Sequence, residues 1–207
     1  MPTSFKEKVS VSPNEFRWFK LYLPIPMGCC IITTINENGI VNAAPFAMCF
    51  PWNNSEEEPQ LIVMMYKGWH TAQNIEKTKE FVVNWPEVHL TDKIMKTGNL
   101  YPEDVNELKE ANLTEIPANK VKPPRIAECA GHYECKLNRI IEMGKSGYHI
   151  IGDVVDISVN KEISEMDREE RIKNIKLPIA YGGPVGKPYY FFGTPSDEVI
   201  KAPYDKV

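Results

Sequence analysis

The sequence has no apolar run of the ~20 residues that a membrane-spanning helix needs, no excess of positive charge, and no even set of cysteines. Each lack removes a class of protein. Without such a run no membrane span is expected. Met1 to Ser10 carries Lys6, Glu7 and Lys8 and has no apolar core of a secretory leader, so the expected location is cytoplasmic. With 24 basic against 28 acidic residues and a formal net charge of -4, there is no basic field for a phosphate backbone, and nucleic acid is not an expected partner. The five cysteines, Cys29, Cys30, Cys49, Cys129 and Cys135, lie in apolar stretches rather than at the spacings of a disulfide framework and read as reduced packing thiols. A Cys-x-x-Cys redox pair is missing. Glycine is scarce beside proline, 12 against 17, and the scattered prolines interrupt every long helix.

What remains is a chain of 207 residues, 43% apolar and 25% charged, sufficient for one globular domain over 1–207 with an N-terminal arm (1–20) and a C-terminal arm (about 190–207). Met27–Ile35 is short, apolar and β-branched, Asn36–Gly39 makes a turn, and Ile40–Phe50 resumes an extended pattern, which together predict a hairpin. Gln60–Tyr66, Glu80–Asn84, His132–Ile141 and Tyr148–Ser158 are further expected strands, and Tyr189–Phe192 is a candidate for the last. Helices are expected to be short: one opening at Ser12-Pro13-Asn14-Glu15 that presents Phe16 and Phe19 to a core, then Thr71–Lys79, Thr91–Lys96, Glu103–Ala111, and Ile163–Ile175 capped by Ser164. The expected fold is mainly β with short helices, closed or nearly closed as a barrel.

Two segments carry candidate chemistry. Asn42-Ala43-Ala44-Pro45-Phe46-Ala47-Met48 is small-residue backbone that another molecule can approach closely, and Pro45 removes one ladder donor. Its amides are suited to a flat polar heterocycle; the plainer alternative is an edge strand whose small residues pack under a helix. Lys67-Gly68-Trp69-His70-Thr71-Ala72-Gln73-Asn74 leads from a strand into a helix, so an ammonium, an imidazole, a hydroxyl and free amides converge as in a phosphate cradle. Here the alternative is a capped surface helix with a solvated lysine. The segment lacks the spacing of a Walker loop. Cys129, His132 and Cys135 have ligand-type chemistry, but offsets of three along a strand point to opposite faces, so no metal is expected. Trp52, Trp69 and Trp85 could wall a flat ring, though core or interface anchoring is the commoner use. Glu56-Glu57-Glu58 reads as a solvated turn and Lys120–Arg125 as a stiff connector.

The order PIPMGCCIITTINENGIVNAAPFAMCF, YKGWHTAQNIEKTKEFVVNWP, KVKPPRIAECAGHYECKL and YHIIGDVV resembles the flavin reductase-like family, flavoredoxins included, from about Pro24 to about Val159. The resemblance implies an FMN-binding split β-barrel of Greek-key antiparallel type, forming a homodimer with FMN near the interface. It implies main-chain contacts to the ring and ribityl chain from Asn42 to Met48, with Thr33 beside the ring and Lys67, His70, Thr71 and Asn74 near the phosphate. The implied activity is electron transfer between NADH or NADPH and flavin, or to a partner protein. The alternatives are a flavoredoxin-like FMN carrier without its own NAD(P)H oxidase activity, and a cofactor-free barrel acting as an interaction module. A Gly-Asp-His triplet common in reductases that serve monooxygenases is absent: the stretch reads Lys145-Ser146-Gly147-Tyr148-His149, which leaves His149 as the candidate near a nicotinamide.

Overall fold

In the computed structural model the described residues are 8–10, 12–13, 25–182 and 191–196. The expected first helix, with Phe16 and Phe19, lies outside them except for Ser12 and Pro13, as do Tyr189 and Tyr190 of the expected last strand. A seven-stranded antiparallel sheet dominates, in the order β3-β2-β6-β9-β10-β5-β4. Its strands are β2 (Cys30–Ile35), β3 (Val41–Phe46), β4 (Cys49–Asn54), β5 (Pro59–Tyr66), β6 (Glu80–Trp85), β9 (Gly131–Met143) and β10 (Gly147–Val159). The β-branched run of β2 suits a pleated surface buried on both faces. The turn to β3 is tight, with Asn36 Oδ1 accepting from the Asn38 and Ile40 amides and Gly39 at φ +78°. Only glycine takes that conformation without strain.

The topology shows why the sheet closes. Strands β3 and β4 are the two edges of the sheet, yet only Ala47 and Met48 lie between them in the chain. Such a short step cannot span a flat seven-stranded sheet, whose neighbouring strands lie ~4.8 Å apart. The sheet therefore curls into a split β-barrel. One apolar core fills its interior, with Ile32, Phe46, Val63, Phe81, Cys135 and Ile150 among its members. Packing there is tight: a Cβ on Gly152 would come within 2.5 Å of the Phe81 ring. The expected strand Ile40–Phe50 is thus corrected to two strands with a break at Ala47–Met48, because the chain changes sheet edge there.

Helix α1 (His70–Thr78) plugs one end of the barrel through Ala72 and Ile75. Outside, α2 (Thr91–Thr97) and α3 (Glu107–Glu110) cover β3, and a second core joins Ile31, Val41 and Ala43 to Leu90, Ile94 and Leu108. The expected Glu103–Ala111 helix is shorter than read, since Asn106 caps it by accepting from the Leu108 and Lys109 amides. The expected single helix over Ile163–Ile175 is two, α4 (Lys161–Glu165) and α5 (Arg168–Asn174), with an extended Met166 between them. Its cap is Asp167 in a capping box with Glu170, not Ser164. Smaller pairings complete the fold: β1 (Met27–Gly28) with β11 (Ile179–Gly182), β11 with β12 (Phe191–Gly193), and β7 (Glu115–Ile116) with β8 (Arg125–Ile126). Among the described residues no helix is long and apolar enough to cross a membrane.

Candidate functional site

Register decides which polar groups meet. In the β2–β3 hairpin Thr34 stands opposite Asn42 and Thr33 opposite Ala43. Alternation along a strand then sends the two threonines to opposite faces. Thr34 Oγ1 accepts from Asn42 Nδ2 at 3.2 Å and from Asn74 Nδ2 at 3.1 Å, and Asn42 Nδ2 also donates to Thr71 Oγ1 at 3.0 Å. All four residues are buried. They bind the start of α1 to the end of the hairpin. Thr71 is therefore not the helix cap: it is the second helical residue with its hydroxyl turned inward. The cap position is Trp69, which supplies no side-chain hydrogen bond. The first-turn amides of α1 are left to other acceptors.

Thr33 has a different environment. Its hydroxyl donates to the Pro124 carbonyl and accepts from Asn84 Nδ2 at 3.2 Å. That places it with the loop before β9, across the strand from Asn42 and Asn74. Lys67 is also drawn elsewhere, with Nζ 3.0 Å from Glu142 and 5.0 Å from the centre of the Tyr148 ring. His149 is half-buried and stands in register with Met64 on one side and Ile141 on the other. The Met64 amide donates to the Met48 carbonyl at 3.0 Å, so Met48, in the break before β4, lies beside Met64, which is itself in register with His149.

Along β3 the small residues divide by face. Asn42, Ala44 and Phe46 lie toward the barrel interior and α1, whereas Ala43 packs in the second core and Pro45 lies against Gly98 at the end of α2. A Cβ on Gly98 would meet the Pro45 ring at 3.0 Å. Packing under a helix, the plainer reading of these residues, accounts for Ala43 and Pro45. The main-chain expectation is also narrowed. The Ala43 amide donates to Glu107 at 3.0 Å and Pro45 has no N–H, so neither offers a donor to a ligand. Glu107 is buried; loss of water pushes its carboxyl above the usual range, opposed by its own and the Ala43 amide and by His70.

Beside the uncapped start of α1 lies an aromatic shelf that sequence reasoning left mostly unassigned. The Trp69 ring meets Phe46 edge-on at 5.7 Å and Tyr66 at 5.1 Å. Tyr66, Trp69 and Met48 are well exposed. Large apolar groups exposed together beside a helix start without a side-chain cap suit a flat ring that ends in an anion. The structure thus brings Asn42, Thr71 and Asn74 together, sets Ala44, Phe46 and His70 at the same junction, leaves Met48 beside Met64, and bonds Thr33 and Lys67 to partners outside that polar cluster. Sequence reasoning missed Thr34, Tyr66 and Glu107. Counting the hairpin register outward from Gly39 would have found Thr34 opposite Asn42; nothing local marks Glu107.

The thiols are packing groups: all five are buried and free. Burial pushes Cys29 up to about 12 and Cys129 higher still, so neither is a ready nucleophile.

A family model, flavin reductase like domain, matches residues 22–181. An uncharacterized protein of Methanothermobacter thermautotrophicus is 38% identical over 148 residues, 70% of this chain and 69% of that protein. Among solved structures, nitrilotriacetate monooxygenase component B of Bacillus cereus superposes with a TM-score of 0.78 at 21% identity, covering 95% of this chain and 100% of that one. The flavoredoxin of Methanosarcina acetivorans gives a TM-score of 0.73 at 20% identity, covering 95% and 96%. These last two likenesses are of fold.

Proposed function

The chain belongs to the flavin reductase-like family, and from that premise we propose that it is a single-domain FMN-binding oxidoreductase, passing electrons between NADH or NADPH and flavin or onward to a partner protein. The observation that carries the reading is the junction of β3 and α1, where the aromatic shelf adjoins helix amides with no side-chain cap. Tyr66, Trp69 and Phe46 would shield one side of the isoalloxazine from water, and Ala44 leaves room for it. His70 and the first-turn amides would hold the phosphate, with Asn42, Thr34, Asn74 and Thr71 fixing the helix start from beneath. When bound, the flavin supplies the electron chemistry, so the chain needs no acid/base residue of its own for that step. His149 is proposed as a contact for the nicotinamide.

Ala44→Trp is expected to fill the slot, weakening FMN binding by more than about tenfold while the barrel still melts cooperatively. Equilibrium titration of the protein with FMN checks this. Unchanged affinity would mean that the flavin binds elsewhere.

A second reading, an FMN carrier of the flavoredoxin type, is favoured by the missing Gly-Asp-His triplet at 145–149. Anaerobic mixing separates the two. Bleaching of the flavin by NADH or NADPH supports the reductase; bleaching only by a reduced protein supports the carrier. A cofactor-free interaction module would take up no FMN at all. Pairing as a homodimer is supported by Trp52, Ile141 and Met143, apolar side chains left exposed on β4 and β9, and is read from the mass in solution.

A further inference from the structure

The end of the barrel away from α1 is open. There β5, β6, β9 and β10 present Leu61, Trp85, Tyr133 and Val154 around a cavity of about 580 Å³, walled on one side by Ile163 and Leu177. The cavity is apolar, but one buried donor breaks the pattern: Trp85 Nε1 finds no hydrogen-bond acceptor among the described residues. Of the other polar side chains on the lining, Gln60, Asn53 and Ser55 are engaged. Gln60 donates to Asp153 at 2.8 Å, Asn53 accepts from the Ser55 amide, and Ser55 accepts from the Glu57 and Glu58 amides. The Trp85 indole is held in place by Tyr133, edge-on at 5.8 Å. Loss of water around Tyr133 raises its phenol above the usual range, as expected at a dry wall.

We propose that this barrel mouth is a second binding site, for a compact aromatic molecule carrying a hydrogen-bond acceptor such as a ketone, which Trp85 Nε1–H would meet. The volume falls in the range of small-molecule sites, roughly 300–1,000 Å³. A buried N–H without an acceptor is a standing cost that a ligand carbonyl removes, and indole and phenol rings favour aromatic partners. No lysine or arginine lies among the described lining residues. A phosphate-bearing ligand would find no countercharge here, which separates this mouth from the site proposed for flavin at the α1 end.

The test uses the full chain saturated with FMN, with 2-acetylnaphthalene as the probe and 2-ethylnaphthalene as its partner without an acceptor. Calorimetry should give one saturable site for the ketone, and the Trp85 indole proton, assigned by its loss in Trp85→Phe, should move downfield in the NMR spectrum. Trp85→Phe should weaken the ketone about fivefold to tenfold, the worth of one hydrogen bond, and leave the hydrocarbon unaffected. Val154→Trp should block both, and a thermal melt of each variant checks its fold. Three results would overturn the proposal: no saturable binding of either probe, equal losses for both probes in Trp85→Phe, or binding that disappears as the protein associates. The last would assign the mouth to a second copy of the chain. Because the readouts are heat and one indole resonance, they stand whether or not the flavin reading does; repeating the titration without FMN should give the same affinity.

Discussion

Thr33 and Thr34 are neighbours in one strand, and each anchors a different buried polar web. The Thr33 web is protein on every side. Asn84 donates to Thr33 and accepts from the Ile126 amide, and His132 Nε2 lies 2.8 Å from the Ile126 carbonyl. Glu134, fully buried, accepts from the amides of Asn119 and Lys120. These bonds stitch the segment before β9 onto the barrel wall. The Thr34 web is built of similar groups but opens onto an exposed aromatic shelf and an uncapped helix start. Polar burial alone therefore does not mark a site; what distinguishes the second web is the exposed rings that it borders.

The contrast breaks hardest at Glu134. Glu134→Ala leaves two amides of the stitched segment without their acceptor and is expected to cost ~3 kcal/mol of stability, read by urea denaturation, with FMN affinity unchanged. A loss of affinity matching the loss of stability would show that the two webs are not separate. The Thr34 web should answer the other way. Asn42→Ala with Thr71→Val is expected to cost only ~1–2 kcal/mol while lowering FMN affinity by at least about tenfold. Should the flavin bind that variant normally, the web would be mere scaffolding.

The smallest effect concerns pH. His132 Nε2 must donate to the Ile126 carbonyl, so in the neutral ring Nδ1 accepts from Ser158. Burial, helped by Arg125, holds its pKa below the usual 6.5. The unfolded chain then binds the proton more tightly, so this contribution to stability is full above pH 6.5 and is lost as pH falls through the lowered folded value. Wild-type stability should decline more steeply than that of His132→Gln between pH 7 and 5. Parallel curves for the two proteins would dismiss the histidine as the source.

Much of this arrangement is legible in the residues. The β-branched Ile31–Thr34 run, the Asn36–Gly39 turn and the Thr71–Thr78 stretch each state their structure locally, and the number of strands, with the family resemblance, points to the barrel. Facing was harder. Thr33 and Thr34 bond to different partners because a shift of one residue reverses a strand's faces, and parity becomes readable only once the turn fixes the register. Lys67 pairs with Glu142, which lies on a hairpin far along the chain, and no local pattern foretells that encounter. The β3–β4 break was missed for a similar reason. Apolar residues run through it without interruption, and the change of edge is a property of the closed sheet.

That closure has a kinetic side. The β2–β3, β4–β5 and β9–β10 hairpins can each form from nearby chain, but β5 must find β10, with Ile62 against Ile151, across 89 positions of sequence. Loop entropy opposes that meeting until the intervening elements have assembled, so it belongs late in folding. The aromatic shelf draws Phe46 from the strand before the two-residue step, and Tyr66 and Trp69 from the far end of β5 and the turn after it. The proposed flavin pocket also needs α1 docked on the β2–β3 hairpin, so it would form with the barrel, and a cofactor that waits for it would bind what has already folded.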